Sequence, residues 1–378
     1  MTTLADLDTP AALVDVARLA RNLERMQARA DALGVAFRPH VKTTKCPAIV
    51  DAQRTAGARG ITVSTLKEAE RFLEAGVTDI LYAVGLAPAK LGQVAALRRR
   101  GSELKVVTDN LDVARAIAAF TAREGIALEA WIEIDTDGHR SGIEPEDVLL
   151  LEVGRALHEG GARLGGVMTH AGSSYDCDDD EALRTLAERE RAGVVRAAQR
   201  LRAAGLPCPT VSVGSTPTAL RARHLEGVTE LRAGVYALLD LVMHNVGVCD
   251  IDDIALSVLT TVVGHQRDKG WAIVDAGWMA MSRDRGTQRQ RRDFGFGLVC
   301  DEAGTPLDGW LVTGANQEHG IVSLAEGAHP DVAGRFPVGT RLRILPNHAC
   351  ATGAQHGCYH PVGTAGEVLD AWPRFSGW

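Results

Sequence analysis

The 378-residue sequence lacks the features that would mark a membrane, secreted or nucleic-acid-binding protein. No uninterrupted apolar run approaches the ~20 residues that a membrane-spanning helix needs. The first ten residues, MTTLADLDTP, contain neither a basic nor an apolar segment, so no secretory signal is visible. Positive charge is not in excess, because 41 Lys and Arg residues stand against 48 Asp and Glu residues, a formal net charge of −7. We therefore expect a cytoplasmic protein that binds neither nucleic acid nor an anionic membrane.

The sequence also lacks a regular cysteine pattern and one familiar glycine motif. Its seven cysteines are an odd number without close regular spacing, which argues against a disulfide scaffold. No G-x-G-x-x-G follows the first predicted strand, which weakens the interpretation of the chain as an open, doubly wound sheet. The chain does contain 46% hydrophobic and 24% charged residues, the balance of a globular protein with a large core.

Short β-rich segments alternate with helical segments over the first two-thirds of the chain. Strands separated by single helices pair in parallel through crossover connections, and eight such units favour a (β/α)8 barrel of the TIM type. The predicted strands are 36–41, 60–65, 79–84, 103–109, 128–135, 164–170, 210–215 and 229–238. The predicted helices include 17–34, 66–76, 110–125 and 180–205, and many end at a glycine. An open doubly wound sheet is the alternative.

The pattern changes from about residue 250 onwards. The runs are now short and β-branched, are separated by Gly, Pro and Asp, and have no convincing long helix between them. The clearest are 255–265, 270–277, 309–315 and 340–348. This pattern predicts an antiparallel β domain after the α/β barrel.

Polar residues follow several predicted barrel strands, at the end where such barrels place their active sites. Lys42 follows the first strand, and a partly desolvated lysine can form a Schiff base with an aldehyde cofactor or carbonyl substrate. A rim lysine that extends into solvent is the alternative. Gly214-Ser215-Thr216 and Gly234-Val235-Tyr236 offer N–H groups and hydroxyls that could hold a phosphate, although both could be ordinary turns. Together these features suggest pyridoxal phosphate (PLP) as a cofactor.

A second candidate site lies near the C-terminus, in the segment PNHACAT. His348 and Cys350 are separated by one residue, so on a strand they would point to the same face and could bind one cation. Two protein ligands would leave metal positions open for water or substrate, which favours a catalytic metal site over a closed structural one. A chance occurrence of H-x-C is the alternative. His356, Cys358 and His360 form another alternating set, which we expect in an irregular surface segment rather than at a metal.

Two further segments are candidate substrate contacts. Glu318 and His319 lie between glycines in GANQEHG, where a solvated turn is the alternative. Arg283 opens the strongly basic run RDRGTQRQRRD (283–293), which could anchor an anionic substrate or form a solvated loop.

These motifs resemble the D-serine dehydratase and D-threonine aldolase family of PLP enzymes, which share the alanine racemase fold. The resemblance implies a PLP-binding barrel over 14–248, a β domain of 1–13 plus 249–378 that carries the metal site, and a homodimer. Aldolase members often have Asp where Cys350 stands, so the chain looks more like the dehydratase branch. The resemblance covers essentially the whole chain and is carried by RPHVKTTK, GITVSTLKEAE, WIEIDTDGHRSG, THAGSSY, VSVGSTPT, RAGVY, DAGWMAMS, TGANQEHG and PNHACAT.

The resemblance also implies a role for each matching residue. Lys42 would bind PLP covalently, and Arg140 and His170 would hold the pyridine ring or its phenolic oxygen. His348 and Cys350 would hold a divalent metal (Mg, Mn, Co or Zn) near the substrate's β-hydroxyl. The residues around the cofactor and its phosphate would be Tyr175, Gly214, Ser215, Thr216, Gly234, Val235 and Tyr236.

The activity implied is an ammonia-lyase that dehydrates D-β-hydroxy amino acids. Lys42 would remove the α-proton, and the metal would act as a Lewis acid on the β-hydroxyl. D-threo-3-hydroxyaspartate, which would give oxaloacetate and ammonia, is the expected substrate, and D-serine is another. The alternatives are an aldolase in which His40 deprotonates the β-hydroxyl, a racemase, and a non-catalytic PLP-carrier protein.

Overall fold

The computed structural model describes residues 2–325 and 331–378. These residues form two compact units. The β unit contains the chain up to Leu23, Thr43–Ala48 and Val235–Ser376. The barrel unit contains Glu24–Lys42, Ile49–Gly234 and the last two residues. The domain boundaries expected above, 14–248 and 249–378, stay predictions.

Strands and helices alternate regularly in the barrel unit and less regularly in the β unit. The strands are β1 (Ala11–Asp15), β2 (Ala36–Pro39), β3 (Ile61–Val63), β4 (Ile80–Gly85), β5 (Lys105–Thr108), β6 (Glu129–Ile134), β7 (Arg163–Thr169), β8 (Thr210–Val213), β9 (Glu230–Ala233), β10 (Leu256–Gln266), β11 (Trp271–Val274), β12 (Leu298–Cys300), β13 (Pro306–Ala315), β14 (Gly320–Leu324), β15 (Arg341–Leu345), β16 (Cys358–Val362) and β17 (Trp372–Pro373). The α-helices are α1 (Val16–Ala32), α2 (Pro47–Thr55), α3 (Leu66–Glu74), α4 (Leu91–Arg99), α5 (Leu111–Glu124), α6 (Leu149–Glu159), α7 (Asp180–Ala203), α8 (Thr216–Arg221), α9 (Leu241–Asn245), α10 (Trp278–Met281), α11 (Val332–Arg335) and α12 (Ala349–Gly353). No helix within the described residues is both long enough and apolar enough to cross a bilayer.

The barrel unit is built on one parallel sheet of eight strands, in the order β2-β9-β8-β7-β6-β5-β4-β3. Its two ends meet where His40, just past β2, bridges Thr62 of β3, and the Val41 N–H donates to the Thr62 carbonyl at 2.9 Å. Each of the eight predicted strands overlaps one strand of this sheet. The barrel prediction is therefore confirmed, and the open-sheet alternative is wrong because the ends of the sheet pair with each other.

The inward-facing side chains of the sheet separate into an apolar side and a charged side. Arg38 Nε donates to Glu230 Oε2 at 2.7 Å, Ser212 Oγ donates to Glu230 Oε1 at 2.7 Å, and Arg232 Nε donates to Ser212 Oγ at 2.9 Å. Buried charges are tolerated only when they are paired in this way. The apolar side consists of Leu81, Ala83, Val107, Trp131 and Met168.

The β unit contains one nine-stranded sheet, in the order β11-β14-β13-β12-β15-β10-β1-β16-β17. Its pairs are antiparallel except for β1 and β16, which run parallel. The predicted antiparallel β domain is confirmed, with β1 from the start of the chain inserted between β10 and β16. Its largest core cluster includes Val258, Val274, Val312 and Ile344, and the Trp310 and Phe336 rings pack edge-to-face at 4.7 Å.

Candidate active site

The barrel unit places Lys42 and His40 at the carboxyl ends of its strands. The His40 N–H donates to the Ala233 carbonyl at 2.8 Å, which fixes the start of the loop after β2. The Lys42 N–H lies 3.5 Å from His40 Nδ1, and the Lys42 side chain is exposed. The primary amine is therefore at the barrel mouth, where a carbonyl compound can reach it.

Two histidines at this mouth are held in their neutral form. Burial lowers the pKa of His40 well below its ordinary value, and the positive charges of Lys42 and Arg232 lower it further. Burial and the charge of Arg140 lower the pKa of His170 to about 3. At neutral pH both imidazoles are therefore uncharged, and each has one ring nitrogen that can accept a hydrogen bond.

The tautomer of His170 follows from its hydrogen bond. His170 Nδ1 lies 3.0 Å from the carbonyl oxygen of Gly214. A carbonyl only accepts, so Nδ1 carries the proton and Nε2 carries the lone pair. The Tyr175 ring lies 6.3 Å from the His170 ring, centroid to centroid.

Arg140 lies on the loop after β6 and is balanced by a carboxylate. Its Nη2 is 3.5 Å from Oε1 of the buried Glu133, whose Oε2 accepts from Ser141 Oγ at 3.1 Å. Burial raises the pKa of Glu133, while the charge of Arg140 opposes that rise. Gly142 lets the loop turn here, because a Cβ at this position would lie 2.5 Å from the Asp135 nitrogen.

The predicted phosphate turn after β8 is tightly constrained. Gly214 has a φ of +138°, and a Cβ there would lie 1.9 Å from the Arg232 carbonyl oxygen, so no other residue fits. Ser215 Oγ lies 2.8 Å from Ser174 Oγ and 3.0 Å from Thr218 Oγ1. Ser215 and Thr216 are both buried.

The other predicted phosphate segment is divided between the units. Gly234 follows β9 in the barrel unit, and Val235 and Tyr236 begin a 3-10 turn in the β unit, where both are buried.

The β unit brings His348 and Cys350 together, although not on a strand. His348 is the N-cap of α12, and the Ala349 N–H donates to Asp240 Oδ2 at 2.9 Å. The prediction that strand alternation puts both side chains on one face is therefore wrong, because α12 begins between them. Cys350 Sγ lies 3.1 Å from Thr43 Oγ1.

The surroundings of His348 favour positive charge. Asp284 Oδ2 lies 2.5 Å from His348 Nδ1, which leaves Nε2 to face other ligands. Burial disfavours the imidazolium, but hydrogen bonds to Asp284 and Cys350 outweigh burial and raise the pKa of His348 to about 11. Over residues 2–325 and 331–378 no group of three or more His, Cys, Asp or Glu side chains is arranged to hold a metal ion. The candidate metal ligands therefore stay the predicted pair, and Asp284 lies behind the histidine.

The alternating set His356, Cys358 and His360 lies next to and within strand β16. His356 Nε2 lies 2.9 Å from the Ala280 carbonyl, and Cys358 Sγ lies 3.7 Å from His360 Nε2. The expectation that all three belong to an irregular segment is wrong, because residues 358–362 form β16 and pair with β1.

The two candidate substrate segments meet in the β unit. Glu318 and His319 are exposed in the turn from β13 to β14, and the Trp278 N–H of α10 donates to the Asn316 carbonyl of that turn at 2.9 Å. Arg283, just after α10, is also exposed, with its guanidinium 5.2 Å from the Trp278 ring centroid. Their contact with substrate stays a prediction.

Three charged residues near these sites were missed by sequence reasoning. Arg232 lies in RAGVY on a buried strand. A charged residue in an apolar strand is unusual, so the sequence already indicated that this arginine has a specific role. Glu190 occupies an apolar position of the helical pattern in 180–205, which was also visible. Asp284 gave no signal, because it lies in a loop 64 residues from its partner His348.

Comparisons with known proteins agree with this architecture. Residues 14–241 match the family described as alanine racemase, N-terminal domain, and residues 255–362 match the putative serine dehydratase domain. The chain therefore belongs to the alanine racemase-type, D-serine dehydratase-like family, which confirms the predicted family and its alanine racemase fold.

Individual relatives cover the whole chain. It is 65% identical to D-threo-3-hydroxyaspartate dehydratase of Delftia sp. (strain HT23), over 100% of this chain and 99% of the relative. A cysteine-to-alanine mutant of D-threo-3-hydroxyaspartate dehydratase, solved in the metal-free form, matches with a TM-score of 0.99 at 64% identity over both full chains. D-threonine aldolase of Arthrobacter sp. is 30% identical over 98% of this chain and 92% of its own. Alanine racemase of Clostridium difficile 630 shares the fold, with a TM-score of 0.70 at 14% identity over 98% of this chain and 99% of its own.

Proposed function

We propose that the chain is a PLP-dependent ammonia-lyase that converts D-threo-3-hydroxyaspartate to oxaloacetate and ammonia, with D-serine as a further substrate. The observation that carries this proposal is the His348–Cys350 pair, backed by Asp284, in a chain 65% identical to a dehydratase of that specificity. A racemase has no use for a cation at the β-carbon, and a PLP carrier has no use for the β unit.

The residues at the barrel mouth fit PLP by their chemistry. Lys42 supplies the amine that can join the aldehyde, and the Ser215 and Thr216 hydroxyls and nearby N–H groups suit a phosphate. Arg140 and the neutral His170 would hold the ring or its phenolic oxygen. When bound, the cofactor stabilises the charge left at Cα after proton removal. The Lys42 amine, released from the cofactor, would take that proton from the D face.

The β unit residues fit a divalent cation. His348 would bind through Nε2, because Asp284 holds Nδ1, and Cys350 would bind through Sγ. A thiolate and an imidazole suit Zn²⁺ or Co²⁺ better than Mg²⁺. Such a cation would polarise the β-hydroxyl so that it leaves as water. The resulting enamine would tautomerise to an imine, which water hydrolyses to the 2-oxo acid and ammonia.

A D-β-hydroxy amino acid aldolase is the second candidate. An aldolase is among the relatives, and His40 at the barrel mouth would be the base for the β-hydroxyl proton. Burial and the charge of Lys42 lower the pKa of His40, which makes it a weak base for this step. The same substrate would then give glycine and glyoxylate instead of oxaloacetate and ammonia. We infer the dehydratase because Cys350 stands where aldolases of the family often have Asp.

Product analysis tests this proposal. Purified protein is supplied with PLP, a defined cation and D-threo-3-hydroxyaspartate, and oxaloacetate, ammonia, glycine and glyoxylate are measured. We expect equal amounts of oxaloacetate and ammonia, and loss of both after chelation. Glycine and glyoxylate would instead support the aldolase, and activity that survives complete metal removal would contradict the role of the cation.

We also propose that the chain works as a cytoplasmic homodimer on small-molecule substrates. The support is the family resemblance. Light scattering after size-exclusion chromatography gives the mass directly, and a value near 40.2 kDa, that of one chain, would contradict the dimer.

A further inference from the structure

Helix α7 carries one charged residue on a face that is otherwise apolar. Its buried positions recur every three or four residues, as in any helix packed on a sheet. They are Leu183, Ala187, Glu190, Val194, Ala197, Ala198 and Leu201. A carboxylate at such a position is costly unless its oxygens accept hydrogen bonds, so its contacts explain its presence.

Those contacts join the loops that follow two neighbouring barrel strands. Glu190 Oε1 accepts from the Ala171 N–H after β7 at 3.0 Å and from the Gly214 N–H after β8 at 3.1 Å. The Thr218 side chain donates a further hydrogen bond to the carboxylate. Burial raises the pKa of Glu190, and these hydrogen bonds oppose the rise.

The two loops carry residues already assigned to the cofactor. Ala171 directly follows His170, whose Nδ1 bonds the Gly214 carbonyl at 3.0 Å. Gly214 is therefore held on both sides, by His170 at its carbonyl and by Glu190 at its N–H. Thr218 continues the connection, because its Oγ1 lies 3.0 Å from Ser215 Oγ. Glu190 thus links the turn at Gly214 and Ser215 to the loop after β7 and, through Thr218, to α8.

We propose that Glu190 is a positioning residue for PLP, which fixes the Gly214–Ser215 turn so that it can receive the phosphate. This inference rests on the proposed function, since it needs PLP at the barrel mouth. Glu190 itself touches neither substrate nor cofactor in this proposal.

The test compares the binding of PLP with that of pyridoxal, which has the same aldehyde and ring but no phosphate. The main variant is Glu190→Met, which keeps the length of the side chain and continues the apolar face. Glu190→Gln keeps an oxygen acceptor for the two N–H groups and is the conservative variant that should retain PLP binding. Glu188→Met, an exposed position on the same helix, is the control. Dissociation constants are measured by absorbance on the apoproteins.

We expect Glu190→Met to raise the dissociation constant of PLP at least about tenfold, because the N–H groups lose their acceptor. The dissociation constant of pyridoxal should change less than about threefold, and Glu190→Gln and Glu188→Met should bind PLP within about threefold of wild type. If Glu190→Met does not fold, Glu190→Asp, whose shorter side chain cannot reach both N–H groups, should show the same selective loss.

Each remaining outcome overturns a specific statement. Unchanged PLP binding in a folded Glu190→Met or Glu190→Asp variant overturns the positioning role alone. Equal weakening of PLP and pyridoxal also overturns it, because the carboxylate then supports the fold rather than the turn. Failure of the wild-type apoprotein to bind PLP at all overturns the proposed function together with this inference.

Discussion

At the scale of single residues, hydrogen bonds decide which atom each functional group presents. Asp284 occupies Nδ1 of His348 and so leaves Nε2 for the proposed cation, and the Gly214 carbonyl occupies Nδ1 of His170. Neither arrangement can be read from the sequence, because both partners are distant along the chain. The candidate residues could be chosen from the sequence, but their tautomers could not.

Asp284 gives the first prediction. Asp284→Ala removes the acceptor at His348 Nδ1, so we expect the dissociation constant for Zn²⁺ to rise about 10- to 100-fold. Calorimetric titration of metal-free protein measures it. Asp293→Ala is the control, because Asp293 pairs with Arg285 at 2.6 Å in the same loop and should leave metal affinity unchanged if the loop keeps its shape. If both variants lose Zn²⁺ affinity equally, the effect comes from a change in the loop and not from the hydrogen bond to His348.

At the scale of elements, one ionic network joins strands that are far apart in sequence. Asp79, just before β4, accepts from Arg38 Nη1 of β2 at 2.9 Å and from Lys105 Nζ of β5 at 2.5 Å. Burial opposes ionisation of Asp79, but the hydrogen bonds and charges of Arg38 and Lys105 prevail and lower its pKa. A carboxyl whose pKa is lower in the folded state stabilises the fold above its unfolded pKa of about 3.8 and loses this effect as pH falls through the folded value.

The second prediction follows from the lowered pKa of Asp79, which makes the ionised carboxylate stabilising at neutral pH. Asp79→Asn should lower the free energy of unfolding by about 1–2 kcal/mol at pH 7, since Arg38 and Lys105 lose a charged partner. The difference from wild type should shrink as pH falls below about 3.8. Urea unfolding at several pH values measures it. Asp112→Asn, an exposed carboxyl on α5, should cost less than about 0.5 kcal/mol, and a pH-independent difference for Asp79→Asn would contradict the network.

Elements were predicted well where strands and helices alternate regularly and less well in the β unit. All eight barrel strands were found because each is a compact apolar run between helices. Strands β1, β12, β14, β16 and β17 were missed, because they lie outside the eight regularly alternating barrel units. The segment at His348 was misjudged as a strand because Asp240, 109 residues from Ala349, caps a short helix there.

At the scale of the whole molecule, local sequence patterns do not predict which distant segments pair with each other. In the β unit, β1 pairs Leu13 with Ser257 of β10 and with His360 of β16. Nothing in residues 11–15 identifies these partners, and only the family resemblance implied that the start of the chain joins the β domain. The barrel needed no such help, since βα repetition itself requires parallel pairing.

The third prediction concerns the stability of the whole chain. A ligand at 100 times its dissociation constant stabilises the state that binds it by about 2.7 kcal/mol, so PLP should raise the unfolding temperature of the wild-type apoprotein. Lys42→Ala should lose most of this shift with PLP, because the covalent link is gone. Its shift with pyridoxine 5′-phosphate, which has no aldehyde, should match that of wild type. Thermal scans measure both shifts.

Reduction with borohydride identifies the residue responsible. Peptide mapping of reduced, PLP-loaded protein should place the label on Lys42 and on no other lysine. Lys45 offers an internal comparison, because it lies three residues further along the same loop and is half-buried, whereas Lys42 is exposed. A label on Lys45 would contradict the assignment of Lys42 as the residue that binds PLP. So would a PLP-induced shift in unfolding temperature that is equal in Lys42→Ala and wild type.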